Sequence, residues 1–571
     1  MPYFFNGRLW ISPATMSNVD DSAMANKNLS VGNVVALIGT STGGQPNKPL
    51  TFGDPTTAKN VLKSGELLTA VQKAFSPSTE VGGPASVVVI RVNPATQSAL
   101  TLLDASAAPS IVLTSADWGA WTKQIKIKLQ AGSTKGFQAT SQYGNSYYTQ
   151  DNISRDAFSV QYTGGGASAT MSITGTSVIL SSPAGTPVST IDLTQMKTIQ
   201  QLVDAIDTVP NFTALVLDGN GTKPALNGLD YVNAVDVKAT AYTATANLQA
   251  LVDWFNSTAQ GYVTAARAAN AGNVPALIPF TYLTGGSDGV TTNQQWSDAF
   301  SALQAADVQW VTPVTSDPSI AAMTDAHVQF MSTTGRKERR SVCGTATGTS
   351  DAAAIAAAKA INSDRTSLTH LGFYDYDDNG DLVLFPPYIL AAMIAGAFSG
   401  VNPGTPMTNK SLSVRGLERD LVNPTDTDPL ITGGVLCVEN TSSGFKVVKS
   451  ISTWLTNDNY NRVEQSVGAA LDFTVRNVRN ALDVLRGQKA TPENMARAVS
   501  IADSTLRLLA GPEPTGPGVL VGDQANPAYK NIQAVLDGDV IGVSFQCSPV
   551  LPINYIPVSV YAVPYSGSAS A

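Results

Sequence analysis

Charged residues are scarce in this sequence. Asp, Glu, Lys and Arg make up 14% of its 571 residues, well below the roughly 25% of an average soluble domain. Ala, Gly, Ser and Thr take their place. These small neutral side chains cost little to desolvate, so the composition favours a protein that partners cover on several sides.

Cysteine and histidine are rarer still. Cys343, Cys437 and Cys547 are far apart and odd in number, which indicates free thiols of a protein made in a reducing cytoplasm rather than a disulfide framework. His327 and His370 lie near no cysteine or paired acid in the sequence. We therefore predict no metal site, no catalytic residues and no cofactor, with His327 on a helix surface and His370 beside a strand.

Signals for nucleic-acid binding, membrane insertion and secretion are also missing. The net charge of −8 leaves no basic excess to neutralise phosphates. The most apolar run, residues 388–398, is shorter than the roughly 20 residues of a spanning helix. Residues 1–17 lack the basic start and apolar run of a signal peptide. We expect a soluble protein that is intracellular when it is made.

The periodic segments indicate an α/β core. A chain of 571 residues is long enough for three or four domains. Residues 31–39 and 86–92 are apolar runs typical of buried strands, and residues 67–75 carry apolar side chains at helical spacing. Strand, helix and strand of these lengths predict a parallel βαβ unit with helices covering the sheet.

A β-rich region interrupts this core. Residues 96–271 contain short alternating runs split by Gly-rich turns, with a helix at 199–206. Helix and strand signals alternate again after residue 274, including a helix with Trp296, Phe300 and Leu303 on one face and an Ala-rich helix at 351–361. Residues 373–376 and 382–385 flank Asn379-Gly380, which predicts a tight hairpin.

The last quarter of the chain predicts an α+β region. Residues 434–438 and 445–448 form a strand pair, and residues 460–486 carry one apolar stripe of a long helix. Thr491 and Pro492 open a second helix that Gly511 closes. Residues 540–545 and 556–563 are predicted strands, the second confined to a sheet edge by Pro557 and Pro564.

Two loops imitate ligand sites. Residues 39–44, GTSTGG, follow a strand but lack the Lys and Ser/Thr with which a phosphate loop ends, so we interpret them as a strand-exit turn. Residues 375–381 imitate the start of a calcium loop, yet Pro386 occupies the position of its bidentate Glu. We assign a β-hairpin there and leave open a fortuitous cation.

One basic segment and one apolar segment have more than one interpretation. Residues 336–340, RKERR, are short and without aromatic neighbours, which favours a solvated loop or a subunit contact over a nucleic-acid patch. The apolar cluster at 3–11 precedes a polar stretch at 18–30. Such a cluster needs a covering surface, in its own chain or in another.

The order of four segments resembles the contractile phage tail sheath family. LTGGSDG at 283–289 is similar to the family's L-x-G-G-x-D-G turn, and DWGAW at 117–121 is similar in part to its G-x-W-G-N segment, with Ala120 where Asn is expected. LFPPY at 384–388 resembles its Pro-Pro segment after a hairpin. Residues 433–438, 446–453 and the helix to 486 resemble the sheath C-terminal domain.

The resemblance implies a multidomain α/β and β-rich fold, an α/β sheath core with an inserted β-rich domain and a C-terminal α+β domain with extended terminal arms. We predict an N-terminal arm at 1–30, a discontinuous α/β core at 31–95 and 272–430, the inserted domain at 96–271, the C-terminal domain at 431–548, and a C-terminal strand arm at 549–571. The residues Arg462, Arg476, Arg479 and Arg486 then lie on a candidate tube-facing helix, the alternative being a solvated helix face.

The function implied is that of a structural subunit of a contractile tail sheath, not an enzyme. Its expected partners are further copies in hexameric rings stacked as a helix, the tail tube protein, and baseplate and tail terminator proteins, with no nucleic acid and no membrane insertion. The expected location is the virion tail, assembled in the host cytoplasm, with contraction serving genome ejection. The alternatives are the sheath of a phage-like bacteriocin or secretion apparatus and, from another class, an α/β enzyme with a β-rich accessory domain.

Overall fold

A computed structural model describes residues 3–5, 8–10 and 34–567. Most of the predicted N-terminal arm therefore lies outside the described residues; Tyr3–Phe5 and Arg8–Trp10 form a two-stranded antiparallel ladder. In chain order, the elements up to residue 91 are β1 (Tyr3–Phe5), β2 (Arg8–Trp10), β3 (Val34–Gly39), β4 (Leu50–Phe52), α1 (Pro55–Leu62), α2 (Glu66–Phe75) and β5 (Ser86–Arg91).

The interrupting region is built from four antiparallel sheets. Its elements are β6 (Ala99–Leu103), β7 (Pro109–Ser115), β8 (Lys126–Ala131), β9 (Phe137–Tyr143), β10 (Ser146–Ile153), β11 (Asp156–Tyr162), β12 (Thr170–Ile173), β13 (Ser177–Ser181), β14 (Pro187–Asp192), α3 (Ile199–Asp207), β15 (Phe212–Val216), β16 (Val232–Asp236), β17 (Tyr242–Thr245), α4 (Asn247–Phe255), β18 (Val263–Arg267) and β19 (Ile278–Tyr282). Short 3-10 turns lie at Ala120–Gln124, Leu193–Gln195 and Asn220–Thr222.

This region has two hydrophobic cores. One lies between the sheets β10-β9-β8-β19 and β18-β7-β6 and is completed by α4. The other lies between β15-β11-β17 and β14-β13-β12-β16, with α3 against it. The second unit occupies the chain between β10 and α4, so it is an insertion within an insertion. β19 follows the predicted boundary at residue 271, yet it pairs with β8.

The chain returns to the core after β19. The elements of this part are α5 (Asn293–Leu303), β20 (Trp310–Pro313), α6 (Pro318–Thr333), β21 (Arg340–Gly344), α7 (Asp351–Ile361), β22 (Thr366–Thr369), β23 (Phe373–Tyr376), β24 (Leu382–Phe385), α8 (Pro387–Ser399), β25 (Gly416–Leu417), α9 (Thr427–Thr432), β26 (Val438–Thr441) and β27 (Gly444–Val447).

The core sheet has the order β22-β21-β20-β3-β5-β4, and every pair is parallel except β4 with β5. The predicted βαβ unit is confirmed, since β3 and β5 are adjacent and parallel and α2 packs beside them. Apolar side chains of α5 and α6 cover one face, and those of α2 and α8 the other. The mixed α/β, β-rich, multidomain fold class is thus as predicted.

Helix α8 explains the most apolar run of the sequence. All its residues except Tyr388 are buried, and Phe398 stacks on Trp310 of β20 with ring centroids 4.2 Å apart. A helix that is apolar all round is a central core helix when it lies inside a folded domain. Among residues 34–567, no helix combines the length and the hydropathy needed to cross a bilayer.

The C-terminal part packs two helices on a β-hairpin. Its elements are α10 (Tyr460–Val463), α11 (Gln465–Leu482), a 3-10 turn at Asp483–Leu485, α12 (Pro492–Leu509), β28 (Tyr529–Asp537) and β29 (Val540–Cys547). Apolar side chains of α11, α12, β28 and β29 share one core. The predicted cap is confirmed, because Thr491 accepts a hydrogen bond from the N–H of Asn494 at 3.4 Å.

Three predicted elements are corrected here. The helix at 460–486 is broken at Glu464, whose backbone is extended and bridges to Ile451. The strand at 434–438 begins later, at Val438. Residues 556–563 form no strand with the described part of the chain, because an extended segment becomes a strand only when another strand pairs with it.

Candidate assembly surface

Three of the sequence motifs meet at Arg91, at the end of β5. Its buried guanidinium donates from Nη2 to Asp288 Oδ1 at 3.0 Å, and from Nη1 to the carbonyl oxygens of Gly44 at 2.8 Å and Trp118 at 3.2 Å. Gly44 belongs to the turn at 39–44, Trp118 to DWGAW and Asp288 to LTGGSDG. The motifs therefore build the junction that fixes the inserted region to the core, a role that their turn composition alone does not reveal.

Gly119 shows why the junction needs glycine. Its φ is +115°, and a Cβ there would overlap the carbonyl oxygen of Thr42 and the Asp288 carboxylate. The amide of Gly44 donates to Asp117 Oδ1 at 2.9 Å. Because the Gly44 amide already has a partner within the chain, it is not available to a phosphate group. Residues 39–44 therefore form the predicted strand-exit turn.

The calcium-like segment is a hairpin, as predicted. β23 and β24 pair directly, and Asp377 Oδ1 accepts from the amides of Asn379 and Asp381 at 2.8 and 2.9 Å. Asp378 accepts from Lys59 Nζ at 2.7 Å. These carboxylates serve the turn and an ion pair. No group of three or more His, Cys, Asp or Glu side chains in the described residues could hold a metal ion.

The prediction of a solvated loop or subunit contact at residues 336–340 is wrong for residues 338–340, which are buried, whereas Arg336 is exposed. Arg339 is fully buried and Arg340 is 5% exposed, because their partners lie inside the same chain. Arg340 Nε donates to Asp472 Oδ2 of α11 at 2.9 Å, and Arg365 Nη1 donates to the same oxygen at 3.0 Å. A single carboxylate of α11 thus neutralises two guanidinium groups of the core.

The four arginines of the candidate tube-facing helix differ in exposure. Arg462 is 42% exposed and donates to Asp364 Oδ2 at 3.2 Å. Arg476 is 6% exposed; it donates to Asp307 Oδ1 at 2.9 Å and to the Glu338 carbonyl at 2.7 Å. Arg479 donates to the Glu338 carboxylate. Only Arg486, which pairs with Asp483, lies mostly in solvent. Their partners therefore assign Arg476 and Arg479 to the contact between α11 and the core.

The histidine and cysteine side chains are structural. His327, predicted on a helix surface, is buried and accepts from Arg339 Nη1 at 2.7 Å; burial and this guanidinium lower its pKa to about 3. His370 lies at the end of β22 and contacts Asp351 Oδ1 at 2.9 Å. Burial raises the pKa of Cys343 to about 12, which keeps it a thiol.

The β28–β29 hairpin has unpaired edges. Within the described residues the two strands pair only with each other, so each keeps one free edge. Beside β29 runs a groove of about 530 Å³, which we call the hairpin groove. Its apolar lining comes from α11, the turn after it and β29: Val475, Val478, Leu482, Leu485, Ile541, Val543 and Phe545. An exposed edge next to an apolar groove is a place where a further strand can bind.

The C-terminal arm is the most exposed apolar segment of the described chain. Ile556, Val558 and Val560 are 78%, 79% and 85% exposed, and they share one face of an extended chain. Tyr561 and Val563 on the other face are 88% and 84% exposed. No backbone group of residues 551–567 hydrogen-bonds to another described backbone group. The arm therefore offers both an apolar face and unpaired ladder groups.

Comparison with known proteins supports this picture. The tail sheath protein of Bacillus phage SP01 is 28% identical and covers 99% of this chain and 97% of its own. The tail sheath protein of Staphylococcus phage Twort is 22% identical over 82% of this chain and 84% of its own. No protein-family model matches the chain.

The fold is also found in a solved structure. The crystal structure of the sheath tail protein from Desulfitobacterium hafniense superimposes with a TM-score of 0.53 at 13% identity, over 94% of this chain and all of that protein. At this identity the likeness establishes the fold. The near-complete coverage in sequence and in fold, together with the order of the four motifs, confirms the predicted resemblance of this chain to contractile phage tail sheath proteins.

Proposed function

We propose that this protein is the structural subunit of a contractile phage tail sheath, which polymerises around the tail tube and contracts to drive the tube through the host envelope. The observation that carries the proposal is the C-terminal arm. It presents an apolar face and unpaired backbone groups to solvent, and the same subunit carries a hairpin with free edges and an apolar groove. A protein with both halves of such a contact can join to further copies of itself.

The arm of one subunit would add a strand to the hairpin of the next. Ile556, Val558 and Val560 would face the hairpin groove while the backbone pairs along β29. A strand of about six residues offers about three ladder hydrogen bonds at one edge, each worth about 0.5–1.5 kcal/mol. One arm is therefore a weak link. Repetition around a ring and along a helix makes the assembly stable by avidity.

Such a link also permits contraction. The subunit body can change its packing while a flexible arm keeps neighbours connected. Assembly would set the extended packing of the subunits. Their change to a more stable packing would release the free energy that drives the tube, without nucleotide hydrolysis at this subunit. We place the subunits in stacked hexameric rings around the tube protein, between baseplate and terminator proteins, and we assign them no enzymatic activity. The virion tail is then its location, after assembly in the host cytoplasm.

Truncation tests the linking role. A chain ending at residue 555 should remain a folded subunit and form no intact sheath, because the ladder groups and the apolar face are lost together. A chain lacking only residues 568–571 is the matched control and should assemble. Electron microscopy of the assembled particles and circular dichroism of the subunits give the two measurements. Intact contractile sheaths from the chain ending at 555 would show that the arm is not the link.

The same subunit could belong to a bacteriocin or a secretion apparatus, since their sheaths require the same contacts. Electron microscopy of particles from a producing lysate separates the cases. A tail attached to a DNA-filled head supports the phage sheath, and headless particles support the alternative.

A further inference from the structure

The C-terminal arm leaves the subunit at a defined point. Residues 550, 552 and 554 are half-buried and alternate with exposed residues 551 and 553, as in an extended chain that lies on a surface. Every described residue from 555 onward is exposed. The N–H of Val550 donates to the Val519 carbonyl at 3.0 Å. The last contact with the body that buries a side chain is therefore the one made by Asn554.

Asn554 is held by a buried carboxyl group. Its Nδ2 donates to Oε1 of Glu464 at 2.8 Å, and Glu464 is 1% exposed. Glu464 stands between α10 and α11 in extended backbone, at the N-cap of α11, but its side chain caps no helix amide. Lys449 Nζ approaches Oε1 at 3.7 Å and also lies 5.9 Å from the ring centroid of Tyr555.

The buried carboxyl group of Glu464 forms no capping hydrogen bond that would stabilise α11. A Glu in solvent would leave α11 unchanged, and taking a carboxyl group out of water costs free energy unless partners compensate. Two partners compensate, Lys449 and Asn554, and the hydrogen-bonded one, Asn554, lies ninety residues along the chain. The helix break at Glu464 turns the side chain towards it. This placement is what a residue that positions the arm requires.

We propose that Glu464 is the positioning residue of the C-terminal arm: its carboxyl group binds Asn554 and fixes the point, between Asn554 and Tyr555, at which the arm becomes free. The proposal deepens the proposed function, on which it rests for the importance of the arm. With the exit point fixed, the free segment starts with Tyr555 and Ile556 in every subunit, so the reach of the link is set.

Two buried oxygen atoms of this contact lack a hydrogen-bond partner. Glu464 Oε2 and Asn554 Oδ1 are both buried and have no hydrogen-bond partner among the described atoms. A carboxyl proton on Oε2 would supply the donor that an amide oxygen needs. Burial raises the pKa of Glu464, while Asn554 and Lys449 act in the opposite direction. A glutamine at 464 would keep the acceptor for Asn554 Nδ2 and offer an N–H in place of the carboxyl proton.

Chymotrypsin cleavage of the unassembled full-length chain tests the anchor. The enzyme cleaves after Tyr555 when residues 552–555 are detached, because its active site binds several extended residues before the cleaved bond, and it cleaves after Tyr561 whether or not they are detached. We expect Asn554→Ala and Glu464→Ala to raise the ratio of cleavage after Tyr555 to cleavage after Tyr561 about tenfold or more, the equivalent of one hydrogen bond of about 1.4 kcal/mol. The double variant should show no further increase, and Glu464→Gln should keep the wild-type ratio.

A matched control removes the same type of bond elsewhere. Asn423 Nδ2 donates to Glu439 Oε2 at 3.0 Å, far from the arm in sequence, and Glu439→Ala should leave the ratio unchanged. Asn554→Ala lies on the surface, so it remains informative if Glu464→Ala fails to fold. An unchanged ratio in Asn554→Ala, or a ratio in Glu464→Gln as high as in Glu464→Ala, would overturn the proposal. Because the assay uses free subunits, it succeeds or fails independently of the truncation experiment on sheaths.

Discussion

The contact between α11 and the α/β core differs physically from the C-terminal arm, although both concern the same end of the chain. The first is buried and charged. Each of its arginines has a carboxylate partner inside the subunit: Arg340 and Arg365 of the core, and Arg476 of α11. The second is exposed and apolar, with no backbone pairing between residues 551–567 and other described residues. The difference assigns rigidity to the body and movement to the arm.

Burial of charge makes the α11 contact specific as well as rigid. An ion pair in a low-dielectric site loses several kcal/mol when one partner is removed, because the other charge stays buried. A slightly displaced α11 would leave such a charge uncompensated, so intermediate positions are disfavoured. Apolar contacts of an arm, by comparison, tolerate sliding and rotation. We expect contraction to alter the arm and its links while α11 stays on the core.

The largest expected effect comes from removing the carboxylate at the centre of the contact. Asp472→Ala leaves Arg340 and Arg365 without their shared partner, and the free energy of unfolding should fall by about 3–5 kcal/mol. Urea unfolding of the subunit measures this. Asp483→Ala is the control, since its pair with Arg486 is exposed and should change stability by less than about 1 kcal/mol. Equal losses in the two variants would contradict the assignment of rigidity to the buried cluster.

A smaller effect follows from crowding the same cluster. A Cβ on Gly468 would overlap the Arg340 guanidinium, which three acceptors hold in place. Gly468→Ala should therefore lower the free energy of unfolding by about 3 kcal/mol, the upper end of the usual overpacking range. Thermal unfolding gives the measurement. Arg340→Lys in the Gly468→Ala background shortens the obstructing group; a further loss of stability there, with no partial rescue, would argue against the steric cause.

These contacts mark the limit of what the sequence predicts. Local signals were sufficient for α7, for the 373–385 hairpin and for the Thr491 cap, since the residues that decide them are adjacent. They failed for Arg339 and Arg340, whose charges indicate solvent until their partners at 327 and 472 are brought near by the fold. They failed at Glu464 for the same reason, as its partner Asn554 follows ninety residues later. β28 was missed because the bulge between Lys530 and Gln533 breaks the alternation of polar and apolar residues at its start.

His327 makes the body sensitive to acid in a defined range. Its pKa in the folded protein is about 3, against about 6.5 when unfolded. Between these values the unfolded state binds the extra proton, so stability is complete above pH 6.5 and falls as the pH drops towards 3. From pH 7 to pH 5 the expected loss is about 2 kcal/mol. Urea unfolding at both pH values checks this, and His327→Gln should remove that part of the pH dependence; an unchanged difference between the two pH values would contradict it.

Substitutions in the arm should have the smallest effect on the free energy of unfolding and a large effect on assembly. Tyr561 is 88% exposed and makes no described contact with the body, so Tyr561→Ser should change the free energy of unfolding by no more than about 0.5 kcal/mol.

The triple variant Ile556→Ser, Val558→Ser and Val560→Ser should likewise leave the free energy of unfolding of the isolated subunit unchanged. The triple variant should nevertheless assemble poorly, because it removes the face that would enter the hairpin groove. Sedimentation of polymerised against free protein measures this, with Ser559→Ala on the opposite face as the control. Assembly of the triple variant at the wild-type level would show that the apolar face is not what the neighbour binds, and it would leave the backbone ladder alone to link the subunits.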